Sequence, residues 1–137
     1  MVLEFEGIYR KKEIPKDLIL EEDRIDPDVT WVYYKGLRVG LIKKTSRGKV
    51  YITHRDFNLH FFKIFEGYGI SLKVLKELKK LKVRRIIIIE KHGSGEFVLA
   101  SEINDWFRYG KEYVYEFPYG TKDKQLVLPR IYFDIIT

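Results

Sequence analysis

The stretch Val29-Thr30-Trp31-Val32-Tyr33-Tyr34-Lys35-Gly36-Leu37-Arg38-Val39-Gly40-Leu41-Ile42-Lys43-Lys44-Thr45-Ser46-Arg47-Gly48-Lys49-Val50-Tyr51-Ile52-Thr53 decides the fold. Its β-rich runs, Val29–Tyr34, Leu37–Lys43 and Lys49–Thr53, are separated by Lys35-Gly36 and Ser46-Arg47-Gly48. Glycine in such short connections allows the positive φ that tight hairpins need. The spacing predicts a three-stranded antiparallel meander. Strict alternation puts Trp31, Tyr33, Val39, Leu41, Val50 and Ile52 on one face. The opposite face then collects Tyr34, Arg38, Lys44, Lys49 and Tyr51, a basic and aromatic surface if the strands pair as written.

Upstream, Val2–Tyr9 reads as a short strand. A polar connector follows, with Pro15, Asp26-Pro27-Asp28 and one helical turn around Lys16–Leu20. Downstream, Asn58–Glu66 reads as helical, and Gly67-Tyr68-Gly69 breaks it from a second helix capped by Ser71. At 100° per residue this second helix turns Leu72, Val74, Leu75, Leu78 and Leu81 to one side and Lys73, Lys76 and Lys80 to the other. Val83–Glu90 contains Ile86–Ile89, apolar on both faces, and so predicts a central strand covered by a helix. Glu96–Ala100, a helical turn near Glu102–Tyr109, and strands at Glu112–Phe117 and Gln125–Ile136 complete the chain. The fold class is α+β, a mostly antiparallel sheet with a three-stranded N-terminal meander and one or two helices packed on it. Length predicts a single domain over 1–137, with a meander part at 1–54 and an αβ part at 55–137.

Charge is unevenly placed. Between Lys35 and Lys91, sixteen Lys and Arg face only Asp56, Glu66, Glu77 and Glu90, while both flanks are net acidic and the whole chain is +6. The absence of Cys excludes disulfides, thiolate zinc sites and cysteine nucleophiles, and makes a cytoplasmic address the expectation. No run approaches the roughly 18 apolar residues of a membrane span. Lys, Glu, Arg and Ile are abundant, whereas there are only one Gln, two Asn and one Met. That depletion of thermolabile side chains is the pattern of hyperthermophile proteins and points to an archaeal source.

The run His60-x4-Phe65-x-Gly67-Tyr68-Gly69-Ile70-Ser71-x2-Val74-Leu75-x2-Leu78, followed by Arg84-Arg85 and an Ile-rich strand, resembles small uncharacterised proteins of archaeal plasmids, integrated elements and viruses. The resemblance covers about residues 54–90 and implies a mobile-element context. It carries over no functional residue.

Each candidate for chemistry meets a simpler alternative. His54, Asp56 and His60 could be drawn as a metal site, but surface or half-buried histidines are the ordinary outcome. Glu90 ends a core strand without the Lys two positions on that a metal-dependent nuclease commonly places there. Asp23, Asp26 and Asp28 alternate like a calcium loop but lack its glycine, so an acidic turn is expected. Gly67-x-Gly69 could cradle a phosphate, yet it lacks both dinucleotide and P-loop spacing. Ser94 lies in Gly93-Ser94-Gly95, which is hairpin chemistry. The expectation is therefore no enzyme, no catalytic residue, no cofactor and no metal.

The basic region remains. Within Lys73–Arg85 seven bases meet only Glu77, too few carboxylates for an ion-pair network, although a solvated thermostable surface would also be Lys-rich. The reading is non-sequence-specific nucleic-acid binding, DNA before RNA. Lys73, Lys76, Lys80, Arg84 and Arg85 would neutralise phosphates, while Arg38, Lys49, Tyr34 and Tyr51 would add backbone contacts and stacking. The alternative is an interaction module that forms a homodimer through the apolar C-terminal run Leu126–Ile136.

Overall fold

A computed structural model describes residues 18–55, 57, 61–116, 120 and 122–136. It contains two sheets rather than one. The larger has seven strands: β1 (Leu18–Glu22), β2 (Val29–Tyr34), β3 (Leu37–Thr45), β4 (Gly48–His54), β7 (Val83–His92), β8 (Gly95–Glu102) and β11 (Asp134–Ile135), neighbours in that order. The smaller runs β5 (Phe62–Ile64), β6 (Gly67–Ser71), β10 (Lys122–Pro129) and β9 (Lys111–Glu116). Helices α1 (Leu72–Lys80) and α2 (Ile103–Tyr109) complete it. Among the described residues every strand pair is antiparallel except β4 with β7. The class is α+β with antiparallel pairing dominant, as expected.

The meander forms and gains a strand. Lys35 and Gly36 have φ of 50° and 83°, the mirror-image turn that matches strand twist. Leu18–Glu22, expected to be connector and helical turn, instead pairs with β2 as the edge strand β1. The pairing runs from Leu18 with Tyr34 to Glu22 with Thr30 and leaves Ile19 and Leu20 exposed, as the outermost strand of a sheet permits. Asn58–Glu66 fails as a helix over its described part, because Phe62–Ile64 is strand β5. Gly67-Tyr68-Gly69 is not a break between helices but buried strand β6, paired on both sides. A Cβ at Gly67 would collide with the Leu128 carbonyl, so glycine there serves close strand packing rather than a turn. The expected long C-terminal strand is also divided: Pro129 ends β10, a 3-10 turn spans Arg130–Tyr132, and β11 crosses to the larger sheet.

One core lies between the sheets. Val32, Tyr34, Ile42, Tyr51, Ile86, Ile88 and Leu99 of the larger sheet meet Tyr68, Ile70, Leu126 and Leu128 of the smaller. Helix α1 adds Val74, Leu75 and Leu78, and α2 adds Ile103 and Trp106. Phe133 sits edge-on to both Tyr68 and Trp106, with ring centroids 5.3 and 5.7 Å away. The meander alternation is as predicted except beside a bulge, but the buried face is the opposite one. Trp31, Leu41, Ile52 and Ile87 pair in a row across the half-buried outer face. No helix among the described residues is long and apolar enough to cross a membrane.

Candidate nucleic-acid interface

The β3–β4 hairpin ends in a two-residue loop, Ser46-Arg47, closed by the pair Thr45 and Gly48. The Thr45 hydroxyl donates to the Gly48 carbonyl at 2.6 Å, and the Arg47 N–H donates to the Thr45 hydroxyl oxygen at 3.3 Å. Gly48 has φ +116°, a conformation that L side chains rarely adopt, so glycine makes this loop possible. The register then sets Lys44 directly opposite Lys49. Like charges facing each other across an antiparallel pair cost a few tenths to about 1 kcal/mol.

Pairing of β4 with β7 brings more cations to this end. Lys49 is opposite Val83 but Val50 is opposite Arg85, so β7 carries one extra residue, Arg84. The extra residue keeps Val83 in the core while Arg84 is exposed and Arg85 half-exposed. Arg84 lies beside Gly48, its Cβ 4.0 Å from where a Gly48 Cβ would be. Lys82 follows α1 with φ 61°, the left-handed position after a helix where glycine is usual.

Two clefts result. One, of about 330 Å³, is lined by Arg47, Lys49, Arg84 and Arg85, with Glu102, Asp105 and Asp134 also on its walls. The other, of about 570 Å³, is lined by Lys44, Lys49 and Lys82 with Asp28. Thr45 and Lys49 border both. Arg84 approaches Glu102 at 3.7 Å, whereas Lys44, Arg47, Lys49, Lys82 and Arg85 have no ion pair among the described residues.

The structure thus gathers Lys49, Arg84 and Arg85 from the predicted site and adds Arg47 and Lys82, which sequence reasoning missed. Lys73, Lys76 and Lys80 are exposed on α1 and line neither cleft. Lys80 pairs with Glu77 at 3.3 Å, Lys79 lies over the Phe107 ring at 4.7 Å, and Lys79 and Lys80 in the last turn complement the helix dipole. Arg38 is held on the outer sheet face, over Trp31 at 4.2 Å and donating to the Tyr33 hydroxyl at 3.2 Å.

Tyr34 and Tyr51 are corrections. They belong to the core, 6% and 0% exposed, and no base can stack on them. The Tyr34 hydroxyl donates to Asp123 at 2.8 Å and the Tyr51 hydroxyl to the Val39 carbonyl at 2.9 Å. Burial pushes the Tyr51 phenol well above its ordinary value.

Glu90 forms a separate polar centre. It is 4% exposed and accepts hydrogen bonds from the Tyr68 hydroxyl at 2.5 Å and from Lys63 at 3.2 Å, with Arg55 at 3.8 Å. Burial raises the carboxyl pKa, but the Tyr68 and Lys63 hydrogen bonds and the two cations outweigh it and hold the net value below the ordinary range. Burial and the bond to Glu90 push the Tyr68 phenol up. These contacts occupy the carboxylate with the protein's own donors.

Asp23 accepts from the N–H groups of Ile25 and Asp26 and from the Trp31 indole, as an acidic turn should. Its carboxyl is lowered, by the Asp26 N–H first and the Trp31 indole second. Among the described residues no group of three His, Asp or Glu could hold a metal. His54 pairs with Glu96 at 3.2 Å, while Asp56 and His60 lie outside the described residues. No protein-family model, curated protein or solved structure matches the chain.

Proposed function

We propose that the protein binds nucleic acid through its phosphate backbone, at the end of the larger sheet where the β3–β4 hairpin meets the turn after α1. One observation carries this reading: Lys44 and Lys49 face each other across the hairpin, and Lys82 joins them at one cleft without a carboxylate paired to any of the three among the described residues. Folding alone disfavours that arrangement, and an anionic partner relieves it. Of the α1 lysines, Lys79 and Lys80 have contacts of their own with Phe107 and Glu77, and none of the helix's lysines lines either cleft, so they are secondary. Contacts of this kind position a strand and do not read bases, which supports binding without sequence specificity. Such a role suits a small protein of a mobile element, and DNA is the expected target.

Fluorescence anisotropy with generic DNA probes tests the reading. Engaging four to six phosphates predicts a slope of log K against log salt of about −4 to −5. Lys44→Glu/Lys49→Glu should weaken binding at least about tenfold more than Lys76→Glu/Lys80→Glu. An affinity unchanged between low and moderate salt, or equal losses in the two variants, would sink it. Repeating the assay with magnesium and resolving the probe on a gel checks that the DNA is bound intact.

A second reading is a homodimer through the C-terminal run. Leu126, Val127 and Leu128 are spent on the protein's own core, but Ile131 in the 3-10 turn and Ile135 and Ile136 at the β11 edge are 84%, 59% and 46% exposed. These exposed isoleucines are the observation that favours the alternative.

A further inference from the structure

The paired clefts carry the site one step further. We propose that the β3–β4 hairpin enters the major groove of double-stranded DNA, with the phosphates of the two strands held in the clefts on its two sides. This rests on the reading of the hairpin end as a nucleic-acid surface.

The geometry has four parts. First, Thr45 and Lys49 line both clefts, which makes the hairpin end the ridge between them. Second, each cleft has cations of its own: Arg47, Arg84 and Arg85 in one, Lys44 and Lys82 in the other. A single strand needs one such channel, whereas a duplex presents two backbones at once. Third, the ridge is narrow at its tip: β2 pairs with β3 up to Lys43 and β7 pairs with β4 from Lys49, so only Thr45–Gly48 run past the neighbouring strands. Its loop is two residues, and Thr45, Ser46, Arg47 and Gly48 are all exposed. A two-stranded ribbon, with strands about 4.8 Å apart, is admitted by the roughly 12 Å major groove of B-form DNA and not by the minor groove of about 6 Å. The major groove of A-form RNA is too deep and narrow for it.

Fourth, among the described residues the clefts lack the free aromatic platforms on which single-strand binders rely. Tyr34 and Tyr51 are buried, and exposed Phe65, Tyr109 and Tyr113 line neither cleft. Tyr132 borders one cleft, but its ring is already stacked on Tyr109, 4.4 Å between centroids and 8° from parallel. What the clefts offer is charge on either side of a thin wedge.

The experiment compares duplex DNA, duplex RNA and single-stranded DNA of one length and ionic strength, using the full chain and the variants Arg47→Glu and Lys82→Glu. Both positions are exposed, and unfolding curves check that the variants fold. Duplex DNA should bind at least about tenfold more tightly than either other probe, and a dye filling the major groove should displace the protein. Each variant should reduce the salt slope on duplex DNA by about one, and the double variant by about two. Equal or tighter binding of single-stranded DNA or duplex RNA would overturn the proposal, as would a duplex affinity sensitive to only one of the two variants. Failure to bind any probe would instead overturn the nucleic-acid reading beneath it.

Discussion

Glu90 keeps its charge inside the protein because three neighbours supply what water would. Tyr68 from β6, Lys63 from β5 and Arg55 after β4 converge on a carboxylate that β7 points inward. The folded pKa lies below the ordinary value of 4.5, so its contribution to stability is present above that value and is lost as pH falls below it. Glu90→Gln should therefore lower stability at neutral pH by about 2 kcal/mol, the scale of hydrogen bonds to a charged group. The gap between variant and wild type should narrow as pH falls below 4.5 and the folded carboxylate is protonated. Urea unfolding at several pH values measures this, and a gap that stays constant would remove Glu90 as the origin of acid sensitivity. The carboxylate could be seen in the sequence as the end of a core strand, but its partners could not. Lys63 lies twenty-seven positions away on a strand that reads as part of a helix.

At the level of the element, the β2–β3 pair shows why alternation alone misjudged the larger sheet. Val32 pairs with Gly40 and Tyr33 with Arg38, so Val39 is an extra residue that turns inward and sends Arg38 outward. Both Tyr51 and Thr53 donate hydroxyls to the Val39 carbonyl, at 2.9 and 2.8 Å. Room for the Tyr51 hydroxyl comes from Gly40, where a Cβ would stand 2.5 Å from the Ile52 carbonyl oxygen and 2.6 Å from that hydroxyl. Backbone on one side and a fully buried ring on the other leave little to move. Gly40→Ala should cost about 1–3 kcal/mol, read from the midpoint of thermal or denaturant unfolding. A change below about 0.5 kcal/mol would mean the bulge relaxes freely. The periodicity of α1, the apolar run of β7 and the meander turns at Lys35-Gly36 and Gly48 were legible because each is a local signal, whereas Gly67-Tyr68-Gly69 reads as a break only until its strand partners are known. Which meander face is buried was not, since aromatic and aliphatic residues lie on both faces and a one-residue bulge exchanges Val39 with Arg38. Arg47 and Lys82 escaped for the same kind of reason: only the parallel pairing of β4 with β7 brings a hairpin loop to the turn after a helix thirty-odd residues away.

For the whole molecule, the charge surplus between Lys35 and Lys91 is divided among three settings. Some cations are consumed by structure, as Lys63 and Arg55 are at Glu90 and Arg38 is against Trp31. Those of α1 solvate a helix. Those at the hairpin end concentrate around two clefts, and Asp28, Glu102, Asp105 and Asp134 border rather than cover them. An electrostatic oligomer would need a compensating acidic surface at that end, while an apolar one would need a long free edge. Ile135 and Ile136 lie in and beside β11, a strand of two residues, too short to pair well with a second copy, and the longer edge strands carry charges that blunt pairing, Glu21 and Glu22 in β1 and Lys111, Glu112 and Glu116 in β9. Light scattering should therefore give the mass of one chain, 16.5 kDa, at low and at high salt. A dimer dissolved by salt would assign the hairpin cations to self-association. A dimer that persists in high salt and is split by Ile135→Lys would place the interface on the C-terminal edge, and the hairpin end would then remain free for DNA on both protomers.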